Sequence, residues 1–170
     1  TPKADLTNLN SLGFISTADY LVEASQPEDL HLAADLAASS NLPLIPLGGG
    51  SNVILPRQLE AVVVKQQPLP LNWPTDLPRN LQLKVPAGYN WHQLVLDTTN
   101  KGYFGLENLA LIPGQAGAAP IQNIGAYGVE VAQCLAAVEG FWLENGQLKQ
   151  DILPAKDCGL AYRTSHFKTK

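Results

Sequence analysis

The amino-acid sequence predicts an α+β fold, and two features of its layout carry that prediction. The first part is βαβ-like: a well-marked helix leads into an apolar run, a glycine turn and a β-branched strand. The remainder mixes strands with one further helix and long loops whose glycine and alanine content marks them as structured. At 170 residues the chain fits one domain, or two small lobes sharing a core, and can bury roughly 70% of its unfolded surface. A hydrophobic fraction of 45% against 15% charged residues suits a globular chain at the low end of charge.

Each element has a local reason. Ser25 and Glu28 stand in the Ser-x-x-Glu spacing of a capping box, Pro27 falls in the first turn, and alanines and leucines run from Leu30 to Ala38. Asn41, Leu42 and Pro43 end that helix. Residues 44–47 are apolar, then come Gly48, Gly49, Gly50, Ser51 and Asn52, then Val53, Ile54 and Leu55, which reads as strand, glycine turn, strand. Residues 60–65 (EAVVVK) are a further β-branched strand. Residues 66–79 carry Pro68, Pro70, Pro74 and Pro78, which argues against helix and places a boundary between a first lobe, residues 1–68, and a second, residues 69–170. Residues 81–85 alternate as a half-buried strand does. Asn90 caps a second helix, with Gln93 at the matching position and Trp91, Leu94, Val95 and Thr98 on one face. Lys101 and Gly102 close it. Residues 135–143 read as a long strand, with Glu144, Asn145 and Gly146 as a hairpin turn and residues 147–149 as the return strand.

The composition excludes several functions. A net charge of −4 offers no general attraction for nucleic acid or for an anionic membrane, so any phosphate would have to be bound locally. No apolar run approaches the ~20 residues of a membrane span, and no signal peptide opens the chain. Cys134 and Cys158 belong to no paired motif, and with His31, His92 and His166 they show no metal-ligand spacing; buried free thiols in a reducing cytosol are the expectation. The absence of methionine and the ending on Lys170 suggest a trimmed product or a piece of a longer chain.

Two glycine-rich segments are the candidates for chemistry. Residues 105–130 read GLENLALIPGQAGAAPIQNIGAYGVE, with Gly114, Gly117, Gly125 and Gly128 among Ala116, Ala118, Ala119 and Ala126 and with Pro113 and Pro120 as stiffeners. So small and uncharged a loop offers backbone amides to a large ligand. Gln122, Asn123 and Tyr127 could read a heterocycle edge or a ribose. The competing reading is a close-packed backbone crossing. The turn at residues 48–52 could form an anion-binding nest or a tight hairpin. It is no Walker loop, because no Gly-Lys-Ser/Thr follows, and Val53 stands where a GxGxxG motif needs glycine. On composition alone, Tyr162 and Arg163 read as a surface ion pair or a stacked edge and not as a site. His92 caps or packs, and Trp73, Trp91 and Trp142 read as core. No Ser-His-Asp arrangement or acid–base carboxylate pair stands out.

LGGGSN, AGYNWHQLV, the 26-residue stretch from Gly105 and YRTSHFK, in that order, resemble the UDP-N-acetylenolpyruvoylglucosamine reductase family. These are the flavoenzymes that make UDP-N-acetylmuramic acid for bacterial peptidoglycan. The resemblance runs from about Asn10 to Lys168, and the stretch from Gly105 is its most specific part. It implies the two-lobed FAD-binding fold of the vanillyl-alcohol-oxidase/CO-dehydrogenase-flavoprotein type and a cytoplasmic enzyme with no nucleic-acid or membrane partner and no metal. By the resemblance, Gly48, Gly49, Gly50, Ser51 and Asn52 bind the FAD diphosphate. Gly114, Gly117, Ala118, Ala119 and Pro120 line a second wall, and Ile121, Gln122, Asn123, Ile124 and Gly125 continue toward adenine, ribose and isoalloxazine. Tyr162, Arg163 and Tyr127 are assigned to substrate, UDP-N-acetylglucosamine enolpyruvate, with NADPH as hydride donor. Arg163 takes the catalytic role: hydride addition to the enolpyruvyl ether drives negative charge onto the substrate carboxylate, which a planar guanidinium meets better than lysine.

The chain departs from the family in length. It stops where the C-terminal substrate domain should begin, so the resemblance implies a flavin-binding half that does not reduce substrate alone. Two alternatives stay open: a FAD-linked sugar or hydroxy-acid oxidase domain, and a non-catalytic flavin-binding module. Against the oxidase, His31 and His92 lie outside both loops and supply no flavin attachment site.

Overall fold

A computed structural model describes residues 1–76, 78–79, 81–144 and 147–168. It divides into two compact units, Thr1–Gln67 with Phe141–Lys149, and Pro68–Gly140 with Gln150–Lys170.

The first unit is built on a four-stranded sheet. Strands β1 (Pro2–Asp5) and β2 (Thr17–Ala24) pair antiparallel; β3 (Leu44–Pro46) and β2 both pair parallel with β4 (Gln58–Gln66), giving the order β1-β2-β4-β3. Helix α1 (Pro27–Ser40) makes the crossover and packs on one face. Its buried Ala33 and Ala37 meet Ala24, Val62 and Val64, and small side chains let helix and sheet approach closely. The opposite face gathers Leu6, Ala18, Leu47, Ala61 and Val63. Covered on both faces, β4 is a continuous β-branched run, and burying each such valine stabilises by roughly 1.5–3 kcal/mol.

The second unit centres on α2 (Trp91–Asn100). Asn90 caps it by accepting the Gln93 amide at 2.9 Å, and Trp91, Leu94, Val95 and Thr98 are its buried face, as the sequence spacing indicates. They pack with Leu109, Ala119, Ile124 and Val131, and the Trp91 indole donates to the Leu109 carbonyl at 2.8 Å. A two-residue ladder joins β5 (Gly125–Ala126) to β6 (Val129–Glu130); β7 (Ala137–Glu144) pairs with β8 (Gln147–Pro154), with residues 141–149 of that pair grouped in the first unit.

Several sequence expectations need correction. The α1 capping box is formed by Gln26 and Asp29, one residue later than expected, with Asp29 accepting the amides of Ser25 and Gln26. Residues 53–55 form no strand: Val53 and Ile54 are exposed, and β3, which precedes the glycine turn, pairs in parallel with β4 instead. Residues 81–85 also form no strand; Lys84 is held through an ion pair with Glu139. The return strand β8 is longer than expected, and the turn residues Asn145 and Gly146 lie outside the described residues. Cys158 is buried but Cys134 is exposed, and of the tryptophans described as core only Trp91 is fully buried; Trp73 is half-buried under the Lys101 ammonium.

Candidate functional site

The glycine turn in the first unit, residues 48–52, follows β3 directly. Gly50 adopts φ +67°, and a Cβ there would lie 2.0 Å from the Leu9 carbonyl oxygen, so only glycine fits. Its carbonyl accepts from the Ser11 amide at 3.0 Å and the Ser11 hydroxyl at 3.2 Å. The Gly48 carbonyl accepts from Lys65 Nζ at 3.1 Å. Burial lowers the Lys65 pKa from the ordinary lysine value, with Glu23 pulling the other way. Gly49 and Asn52 are exposed, and Ser51 is half-buried. Because residues 53–55 form no return strand and β3 pairs in parallel with β4, the tight-hairpin reading fails. The turn carries no carboxylate and has an ammonium behind it, which suits an anion.

The second glycine-rich segment behaves differently. The amides of Ala116, Gly117, Ala118, Ala119, Ile121, Asn123 and Ile124 donate to carbonyls of its own unit. A Cβ on Gly117 would lie 2.6 Å from the Ala87 Cβ, so the backbone crosses Ala87 in close contact. Close crossing is therefore one function of the small residues. Ala119, Pro120, Asn123 and Ile124 are buried, while Gly117, Ala118 and Ile121 are exposed and Gly114, Gln122 and Gly125 half-buried.

Asn123 is the junction of this region. Only 1% exposed, it donates from Nδ2 to Glu130 Oε2 at 2.8 Å and to the Ala161 carbonyl at 3.1 Å, and accepts the Ala132 amide at 3.1 Å. Ser165 Oγ donates to the Ile121 carbonyl at 2.6 Å, and Arg163 Nη2 to the Gly125 carbonyl at 3.3 Å. Residues 121–125 are thereby stitched to the turn between Ala161 and Thr164, whose amides each donate to the other's carbonyl at 3.1 Å. Tyr162 and Arg163 occupy its corner, with the guanidinium carbon 6.0 Å from the Tyr162 ring centroid. Tyr162 and Tyr127 are 81% and 89% exposed. Asn123, Tyr127 and Arg163 all have positive φ, at +46°, +52° and +54°. Asparagine tolerates that region, whereas for tyrosine and arginine it costs roughly 1–2 kcal/mol each.

His92 accepts the Leu111 amide at its Nδ1, 3.2 Å away, and so tethers the start of the loop. Ser165, Lys65 and Ser11 were not singled out from sequence. The only available signal was Lys65 itself, an ammonium directly after the apolar run at residues 61–64. Among the described residues, no group of three or more His, Cys, Asp or Glu side chains assembles, and no helix is long and apolar enough to cross a membrane.

Comparison with known proteins decides the family. Residues 18–150 match the FAD binding domain family. The chain belongs to it. Among curated relatives, UDP-N-acetylenolpyruvoylglucosamine reductase of Bdellovibrio bacteriovorus is 43% identical over 96% of this chain, and that of Psychrobacter arcticus 42% over 97%. These matches cover 48% and 44% of the relatives, so the chain spans about half the length of the proteins it resembles. A crystal structure of UDP-N-acetylenolpyruvylglucosamine reductase from Thermus caldophilus superposes with a TM-score of 0.72 at 26% identity, covering 96% of this chain and 55% of that one. The expected fold class, α+β of the two-lobed FAD-binding type, therefore holds.

Proposed function

We propose that this chain is the FAD-binding part of a reductase that converts UDP-N-acetylglucosamine enolpyruvate to UDP-N-acetylmuramate with NADPH, a cytoplasmic step in peptidoglycan precursor synthesis. The observation that carries the reading is the family match over residues 18–150 together with 42–43% identity to the named reductases.

In this reading Gly48, Gly49, Gly50, Ser51 and Asn52 hold the FAD diphosphate, supported by the uncharged turn and the Lys65 ammonium behind it. Gly114, Gly117, Ala118, Ile121, Gln122 and Gly125 contact the rest of the nucleotide, while Ala119, Pro120, Asn123 and Ile124 shape that surface from inside. Bound FAD would supply hydride transfer between the nicotinamide and the enolpyruvyl group. Arg163, with Tyr162 and Tyr127, would meet the substrate; its guanidinium would neutralise the carboxylate as negative charge develops there. Positive φ at Tyr127 and Arg163 supports a site, since strained backbone persists where function holds it.

The rest of the reductase supplies what this half lacks, so the 170-residue chain binds flavin without reducing substrate. A visible spectrum with an FAD titration tests the first statement. A yellow protein that releases FAD on denaturation supports it, and a chain that takes up no flavin defeats it. Flavin that stays with the denatured polypeptide would favour the oxidase reading instead. A steady-state assay with NADPH and the enolpyruvyl sugar nucleotide tests the second: robust turnover defeats it.

A further inference from the structure

Lys65, next to last in β4, turns its ammonium to the glycine turn, with Glu23 as its register neighbour on β2. It donates to the Gly48 carbonyl, while Ser11 holds the Gly50 carbonyl through both its amide and its hydroxyl. No peptide bond among the described residues is cis. A planar trans peptide points its C=O and its N–H in opposite directions. The Gly48 carbonyl shares a peptide plane with the Gly49 amide. Drawing that carbonyl toward Lys65 therefore turns the Gly49 N–H the other way, and Gly49 is exposed. Ser11 fixes the plane between Gly50 and Ser51 by the same rule. Without these clamps a turn holding three consecutive glycines has many peptide orientations open to it, and ordering them would weaken any anion complex. The partly desolvated ammonium also sets positive charge against the turn, with Glu23 nearby as its counter-charge, in a chain whose net charge is −4.

We infer that Lys65, assisted by Ser11, is a positioning residue that turns the glycine-loop amides outward for the diphosphate of the flavin nucleotide. The inference rests on the flavin reading above. Its test is a fluorescence titration of the 170-residue chain with FAD and, separately, with riboflavin, which shares the ring system but has no phosphate. Lys65→Met should weaken FAD binding about tenfold, leave riboflavin affinity and the unfolding temperature unchanged, and flatten the salt dependence of FAD binding. Lys65→Arg should restore most of the FAD affinity. Ser11→Ala should show the same selective loss in smaller measure, and it carries the test if the methionine variant does not fold. Unchanged FAD affinity in Lys65→Met, or parallel losses of FAD and riboflavin in both variants, overturns the inference and leaves the flavin reading standing. A wild-type chain that binds neither ligand defeats that reading, and the inference with it.

Discussion

Replacing Asn123 is the sharpest test of how the second unit is held. Asn123→Ala removes the partner of the Ala132 amide and one of the two donors to the Ala161 carbonyl and releases Glu130, all at a position 1% exposed. A buried polar group left without a partner costs about 1–3 kcal/mol; with the Ala132 amide orphaned and the Ala161 carbonyl still held by the Thr164 amide, about 2 kcal/mol is expected. Alanine must also hold φ +46°, which adds about 1 kcal/mol. The sum, about 3 kcal/mol, is a large share of the ~5–15 kcal/mol of a typical domain. Asn123→Gly loses the same hydrogen bonds but not the backbone term, so it should be less damaging than alanine by about 0.5–1 kcal/mol. Asn123→Asp keeps the shape but sets a carboxylate oxygen against Glu130 and the Ala161 carbonyl. It should match alanine at neutral pH and recover part of the loss in acid, as one carboxyl takes a proton. Urea unfolding followed by circular dichroism reads all three. An alanine variant within about 0.5 kcal/mol of wild type, or a glycine variant less stable than it, would refute the junction role.

Gly50→Ala should be strongly destabilising, since its Cβ meets the Leu9 carbonyl at 2.0 Å on a positive-φ backbone, and Gly117→Ala should lose about 1–3 kcal/mol from contact with Ala87; thermal unfolding measures both. Burial, with a smaller push from Glu107, raises the Cys134 thiol pKa. Iodoacetamide should therefore label it in the folded chain only slowly below the ordinary thiol range, whereas Cys158 should react only after unfolding, as mass spectrometry of labelled peptides would show. The Tyr89 hydroxyl donates to Asp97, and that hydrogen bond raises its pKa from the ordinary phenol value. Its contribution to stability should be complete below the ordinary tyrosine range and lost as pH rises through the elevated value, and Tyr89→Phe should remove the last-titrating tyrosine from an ultraviolet titration. Arg163→Ala in a full-length reductase should cut turnover far more than flavin content; flavin loss with unchanged turnover per bound flavin would remove its catalytic role.

What was legible in the sequence was what local physics decides. The face of α2, its asparagine cap and the β-branched β4 follow from spacing and residue type, and they stand where expected. Residues 53–55 and 81–85 have strand-like composition too, but a strand needs a neighbour with free backbone groups, and no composition reveals one. The one-residue shift of the α1 cap has a similar origin, because Ser25 and Gln26 both precede an acidic pair and the fold chooses which carboxylate turns back. Strands β1 and β2 went unread because neither is marked by more than short, half-polar runs.

The two glycine-rich segments look alike in composition and work by different physics. In the first, the carbonyls of Gly48 and Gly50 are clamped by Lys65 and Ser11, and glycine's freedom is used to point a backbone donor outward. In the second, the amides from Ala116 to Ala119 close on carbonyls of the same unit, and smallness serves contact, as where Gly117 crosses Ala87. One segment therefore offers hydrogen bonds; the other offers an uncharged surface whose amides from Ala116 to Ala119 are satisfied within. An anion selects the first kind of surface and a flat heterocycle the second. The proposed flavin nucleotide carries both a diphosphate and a planar ring system, so each kind of surface answers to one part of its chemistry.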